Sequence, residues 1–168
     1  RTSGSGIVDL AHWPEQTYQV RSRVQFPRMR EIFFAKEAWV LAGAGDFTGT
    51  FHLFKGGHDL AGNFTSPMAG LYDYRFPELY GSLHWTRKAF EVANAGSRFL
   101  GGQAKFDFSI SPLGEKTKPN GRFDASYANV DMAQVSDFYR LTGIRLAGRG
   151  SGSNLLEWPM GRFGEHRG

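Results

Sequence analysis

The feature that most constrains this chain is a strict alternation of apolar and polar residues. In the segment Gln103–Ser111, every even-numbered residue is apolar and every odd-numbered residue is polar. Successive side chains of a β-strand point to opposite faces of a sheet, so a period of two predicts a half-buried strand. The same alternation recurs, less regularly, in residues 18–26, 47–53, 58–65, 79–85 and 121–127. The sequence therefore predicts a mainly β protein.

Turn signals separate these segments at short spacing. They are Lys55-Gly56-Gly57, Ser66-Pro67, Pro112-Leu113-Gly114 and Pro119-Asn120-Gly121, and glycine and proline are the residues that most often interrupt regular structure. Short connections favour antiparallel neighbours, which predicts an antiparallel meander with one apolar, aromatic face and one polar face. The 22 glycines and 15 phenylalanines fit many short strands joined by tight turns.

Two segments depart from the alternation and predict short helices. The first covers about Met29–Ala35 and follows Pro27, a residue favoured at the start of a helix. The second covers about Met132–Leu141, with Asp131 as its N-cap residue. We expect this second helix to stop at Gly143, because glycine is the usual residue after a helix C-terminus.

The two helices begin an internal repeat. The sequence Leu-Ala-Gly-x-Gly starts at Leu41 after the first helix and at Leu146, 105 positions later, after the second. The same offset aligns Phe33-Phe34 with Phe138-Tyr139. We therefore divide the chain into residues 1–26, the end of a preceding unit; 27–130, one unit of a short helix and a strand meander; and 131–168, the start of the next unit.

Composition excludes several classes of function. The chain has no cysteine, which excludes disulfide frameworks, zinc ribbons and thiol catalysis. Its 20 basic and 16 acidic residues give a net charge of +4, and the basic residues are dispersed. A nucleic-acid-binding protein normally carries a denser basic stripe, so we expect no nucleic-acid partner. Scattered arginines suit an anionic lipid surface as well as any other partner.

Candidate catalytic and metal-binding residues are few. Asp9, His12 and Glu15 lie near Trp13-Pro14 in a pattern more typical of a surface turn than of an acid–base cluster. His52 and His58 flank a turn and could face one metal ion across a hairpin, but no third ligand completes the set. We therefore expect no enzymatic activity, no metal and no cofactor.

The arrangement of helix and strands resembles the TamB and AsmA-like family of bacterial envelope proteins. The resemblance rests on Val130-Asp131-Met132-Ala133 followed by Leu146-Ala147-Gly148-Arg149-Gly150-Ser151-Gly152. Glycine-led strand openings support it: Gly45-Asp46-Phe47, Gly62-Asn63-Phe64 and Gly121-Arg122-Phe123. The resemblance implies an elongated sheet curled into a trough, whose apolar inner face carries phospholipid acyl chains across the periplasm toward the outer membrane.

The family offers no catalytic residues to transfer. The resemblance implies a location in the periplasm or cell envelope, and a membrane anchor in a part of the chain outside this sequence. Its implied partners are phospholipid acyl chains, adjacent repeats of the same chain and, as further candidates, outer-membrane assembly proteins.

The alternation defines a set of residues expected to share the apolar face and, by the resemblance, to face lipid. The set is Phe51, Leu53, Leu60, Phe64, Leu83, Trp85, Phe106, Phe108, Ile110, Phe123 and Tyr127. Their neighbours Thr50, His52, Asn63, Lys105, Asp107 and Arg122 should lie on the opposite face. Two alternatives remain open. In a β-sandwich binding or structural module of the envelope, the same aromatic residues would fill a closed core. The other alternative is a small hydrolase on a β scaffold.

Overall fold

The protein is mainly β, as the alternation predicts. The computed structural model describes residues 1–35, 37–114 and 116–168, with 62% strand and 11% helix. Within these described residues, nine antiparallel strands form one sheet in which every strand pairs with its neighbours in chain order. The strands are β1 Thr2–Val8, β2 Gln16–Gln25, β3 Leu41–Phe54, β4 Gly57–Leu71, β5 Tyr74–Thr86, β6 Phe90–Phe99, β7 Gly102–Ser111, β8 Asn120–Asp131 and β9 Arg149–Pro159.

In the described parts of the chain, two short α-helices interrupt the meander. Helix α1, Phe26–Phe33, lies between β2 and β3, and helix α2, Met132–Phe138, lies between β8 and β9. Helix α1 starts at Phe26 rather than at Met29, because the chain passes directly from the last pair of β2 with β3 into the helix. A single turn of 3-10 helix covers Phe163–Glu165.

The end of α2 corrects the expectation that Gly143 stops the helix. Arg140 adopts a left-handed conformation with φ of 51°. The Arg140 N–H donates to the Asp137 carbonyl and the Leu141 N–H donates to the Ser136 carbonyl, at 3.2 and 3.0 Å. These two bonds form a Schellman motif around a non-glycine residue. The helix therefore ends at Phe138, three residues before Leu141. The start is as expected, because the Asp131 carboxylate accepts hydrogen bonds from the backbone of α2.

Local irregularities interrupt the regular pairing of the strands. The strand register shifts between Ala44 and Asp46 in β3, between Val92 and Ala95 in β6 and between Tyr127 and Val130 in β8. The last two of these bulges contain Asn94 and Asn129, both with positive φ, a conformation that asparagine tolerates better than most residues. Bulges bend the strand that carries them and increase its twist.

Glu78 in β5 has a positive φ of 55°. The alternation of β5 changes phase at this residue, so even-numbered residues before it and odd-numbered residues after it face the same side of the sheet. Tyr74 and Phe76 therefore lie beside Phe99, with ring centroids 6.3 and 5.7 Å away and rings nearly parallel. At the β4–β5 turn, the Tyr72 N–H donates to the Val40 carbonyl at 2.8 Å, which extends the β3–β4 ladder by one bond beyond the Leu41–Leu71 pair.

Glycine is required where an aromatic ring lies against the sheet. Gly49 and Gly62 pair directly across β3 and β4. A Cβ atom built on either residue would lie 2.7 or 2.8 Å from the ring of Phe47. The Phe47 side chain is only 8% exposed, so its ring has little room to move away.

We expect the substitution Gly62→Val to lower the free energy of unfolding by about 1–3 kcal/mol, because the added side chain would collide with the backbone of β3 at Thr48 and Gly49 and with the Phe47 ring. The matched control is Gly152→Val in β9, where a Cβ atom meets nothing within 4 Å. This control should change stability by no more than about 0.5 kcal/mol. Urea denaturation of both variants measures the difference, and equal losses would contradict the packing described for Phe47.

Candidate functional site

The predicted apolar residues share one face of the sheet, which we call the inner face. Cross-strand pairing places Phe51, Leu60, Trp85 and Ile110 in one row, joined through Phe90 of β6. A second row contains Leu83, Phe108 and Phe123. Leu53, Phe64, Phe106 and Tyr127 lie an even number of positions from these residues on the same strands, without an intervening bulge. The opposite face, which we call the outer face, carries the predicted polar neighbours Thr50, His52, Asn63, Lys105, Asp107 and Arg122.

Most of the inner face remains accessible. Of the eleven residues, Ile110 is buried at 2% exposure and the other ten are half-buried. Several small residues of the same face are buried between them: Ala95, Ala104 and Ala125. A closed core packs its large side chains at high density with few voids. Here the alanines are buried, whereas the large aromatic side chains beside them are only partly covered.

Helix α1 and the residues after it cover one part of the inner face. Phe33 lies with its ring centroid 4.9 Å from those of Trp85 and Phe90. Phe34, 5% exposed, packs edge-on against Phe90 at 5.8 Å and lies 5.9 Å from Phe108. Phe34, Phe90 and Ile110 form the buried core cluster. The cover is therefore local to the end of the sheet where β6 begins and β7 ends.

A buried carboxylate fixes this cover. Glu37 is 3% exposed, and its Oε1 accepts a hydrogen bond from the Gly161 N–H at 2.6 Å. The Glu37 carbonyl accepts from Nη2 of Arg30 in α1 at 2.8 Å. Close by, Trp39 contacts Trp158 with ring centroids 5.9 Å apart. The segment that follows α1 is thus tied both to the helix and to the turn after β9.

The rest of the inner face lies outside the core cluster. Seven of the eleven residues belong neither to the cluster nor to the residues packed against it: Phe51, Leu53, Leu60, Phe64, Phe106, Phe123 and Tyr127. Phe106 and Phe123 contact each other across β7 and β8, with ring centroids 5.4 Å apart. Tyr127 continues this surface to Phe99 at 5.5 Å.

At the opposite end of the sheet, the inner face leads to an open cavity of about 640 Å³. Tyr74, Phe99 and Phe138 line it, and Tyr74 lies 4.7 Å from Phe138 of α2. The Tyr74 hydroxyl is 3.0 Å from that of Tyr139. Burial, and to a smaller extent this hydrogen bond, raises the pKa of Tyr74 to about 12. Sequence reasoning missed this group, because the positive φ at Glu78 shifts the phase on which the alternation argument depends.

The histidines do not form the metal site weighed from the sequence. His58 lies on the inner face with its ring 4.4 Å from Trp85, whereas His52 lies on the outer face and bonds Glu15 at 3.0 Å. The two face opposite ways because Leu53, not His52, is the residue that pairs with His58. His12 bonds Asp9 at 2.8 Å in the β1–β2 loop. Within the described parts of the chain, no three His, Cys, Asp or Glu side chains are grouped to hold a metal ion.

None of the described helices is long and apolar enough to cross a membrane.

His84 on the outer face supports a prediction about pH. Its Nε2 lies 3.1 Å from Asp59 and its Nδ1 lies 3.6 Å from Glu91. The hydrogen bond with Asp59, aided by the charges of both carboxylates, raises the pKa of His84 above its ordinary value of 6.5. A raised folded-state pKa contributes stability in full below the unfolded-state value, and that contribution is lost as the pH rises through the folded-state value.

We expect the NMR titration of the His84 ring to have a midpoint above 6.5, and the Asp59→Asn variant to lower that midpoint. The His84→Asn variant should lack the part of the stability that the parent protein loses in this pH range. A His84 midpoint that does not respond to Asp59→Asn would contradict the assigned cause.

No protein-family model, curated protein or solved structure matches this chain.

Proposed function

We propose that the chain is a non-enzymatic segment of a lipid conduit in the bacterial cell envelope, and that its inner face binds phospholipid acyl chains. The observation that carries the proposal is the exposure of that face. Ten of its eleven predicted residues are half-buried on a single sheet layer. The proposal includes a periplasmic location, a membrane anchor outside this sequence, and outer-membrane assembly proteins as candidate partners.

The chemistry of the inner face suits acyl chains. Removing an acyl chain from water contributes roughly 0.8 kcal/mol for each methylene buried. The backbone N–H and C=O groups of the inner strands are paired within the sheet, so an acyl chain lying on this face would meet few unsatisfied polar groups. Aromatic side chains such as Phe106 and Phe123 offer large apolar areas with few rotatable bonds.

The local cover suggests where the acyl path runs. Phe34 and Trp39 occupy the face above Phe90, Ile110 and part of Phe108. The path therefore follows the uncovered residues, from Phe51 and Leu60 on one side to Phe106 and Phe123 on the other. Ile110 therefore lies under the cover that Phe34 forms, whereas Phe106 lies on the uncovered part of the inner face.

The open edges of the sheet suit a repeated architecture. β1 and β9 each pair with one neighbour in the sheet, and one continuous sheet runs through all three proposed units. Adjacent repeats could therefore extend the trough by adding strands, because a repeated unit lengthens a structure without closing it.

The second candidate is a β-sandwich binding or structural module of the envelope. The buried cluster of Phe34, Phe90 and Ile110 favours it, since such a cluster is how a closed core begins. In that case a further layer would cover Phe106 and Phe123 as well.

Photocrosslinking tests the proposal. A photoreactive residue is placed at position 106 or 123 on the inner face, and at 107 or 124 on the outer face as matched controls. The purified proteins are irradiated with phosphatidylethanolamine and phosphatidylglycerol vesicles, and lipid adducts are measured by mass spectrometry. We expect adducts at 106 and 123 only. Adducts on neither face, or equally on both faces, would contradict an acyl path on the inner face.

A pair of charge substitutions distinguishes an open inner face from a closed core. Phe106→Asp should leave the fold intact and weaken lipid binding at least tenfold, because a carboxylate is strongly disfavoured against an acyl chain. Ile110→Asp should unfold the chain, since it leaves an unpaired charge at a site of 2% exposure. Circular dichroism and vesicle flotation measure the two effects. Unfolding of both variants would favour the sandwich module.

A further inference from the structure

The repeat places two sets of apolar residues in equivalent positions with opposite environments. An offset of 105 positions relates Phe34 to Tyr139, Trp39 to Ile144 and Leu41 to Leu146. In the first unit, Phe34 is 5% exposed, and Trp39 and Leu41 pack against the core cluster. In the second unit, Tyr139, Ile144 and Leu146 are 56%, 67% and 36% exposed. We call these three residues the second-unit patch.

The first unit shows what covers such a patch. Phe34 contacts Phe90 at the start of β6, and both Phe34 and Trp39 contact Phe108 in β7. Both strands come later in the chain than the segment they cover. The cover is therefore supplied mainly by the strand meander that follows the helix of the same unit, with a further contact from Trp39 to Trp158 in β9 of the next unit.

The second-unit patch is held in a fixed position. Ser136 Oγ accepts a hydrogen bond from the Leu146 N–H at 2.9 Å. Arg145 pairs with Asp137 of α2 at 3.1 Å, and the Schellman motif fixes the chain at Arg140. The apolar side chains thus project from a segment that α2 already orders.

The sheet next to the patch has room for more strands. β9 forms its ladder with β8, and on its other side the structure describes one isolated bridge, between Glu157 and Arg167. Unpaired backbone groups on an edge strand can pair with a further strand. A meander that followed β9 would continue the sheet as β4 to β8 continue it after β3.

We propose that the second-unit patch docks onto the strands of a further repeat unit, the counterparts of β6 and β7, which would present aromatic residues equivalent to Phe90 and Phe108. This inference rests on the repeat within the proposed function but not on the lipid path.

The test adds a further repeat unit to the chain, so that the strands proposed to cover the second-unit patch belong to the same protein. A copy of residues 57–130 is joined after Gly161, the position at which the offset of 105 makes this copy continue the second unit. We expect backbone amides of residues 139–146 to exchange hydrogen at least tenfold more slowly in the extended protein than in the original one. Ile144→Asp should lower the melting temperature of the extended protein by at least about 4 °C, and leave that of the original protein unchanged.

The matched control is Ile32→Asp. Ile32 is 72% exposed on α1, and the repeat gives it the exposed counterpart Asp137, so this substitution should leave both melting temperatures unchanged. Unchanged amide exchange in the extended protein would overturn the proposal.

Slower exchange in the original protein, appearing at raised concentration or with phosphatidylglycerol vesicles, would overturn it too, in favour of a second copy or a lipid surface. If no lipid adducts form on the inner face but amide exchange of the second-unit patch slows in the extended protein, the lipid conduit is rejected and the docking proposal is supported.

Discussion

The register of the antiparallel strands is the constraint on which the rest of the structure depends. Each strand aligns with the next so that residues such as Leu60, Trp85 and Ile110 fall in one row. A slip of one residue at any pair would turn a whole strand over and move its apolar side chains to the outer face. Glycines at Gly49 and Gly62 permit the close approach of Phe47, and so help to hold this register.

The inner face combines a covered end with an accessible middle. The covered end depends on Phe34 and on the bond from Gly161 to Glu37, which ties a segment between β2 and β3 to the turn after β9. The middle has no such cover among the described residues around Phe106 and Phe123. A fold that needed only a dry core would leave little reason for such large aromatic side chains to stay half-exposed.

The sequence predicted the sheet well, because a period of two is a property of each strand by itself. It also predicted the start of α2, because the cap at Asp131 is local. It failed where the outcome depends on conformations that no pattern announces. Arg140 took the left-handed position expected of Gly143, and Glu78 with positive φ reversed the phase of β5. The cover over Ile110 could not be predicted either, since the contact of Phe34 with Phe108 joins residues far apart in the chain.

The proposed function requires an inner face that is open to acyl chains. Paramagnetic relaxation by a lipid that carries a nitroxide near the end of its acyl chain tests this requirement most directly. We expect strong broadening of the ring resonances of Phe106 and Phe123, and little effect on the outer-face neighbours Lys105 and Arg122. Equal broadening on both faces, or none on either, would contradict it.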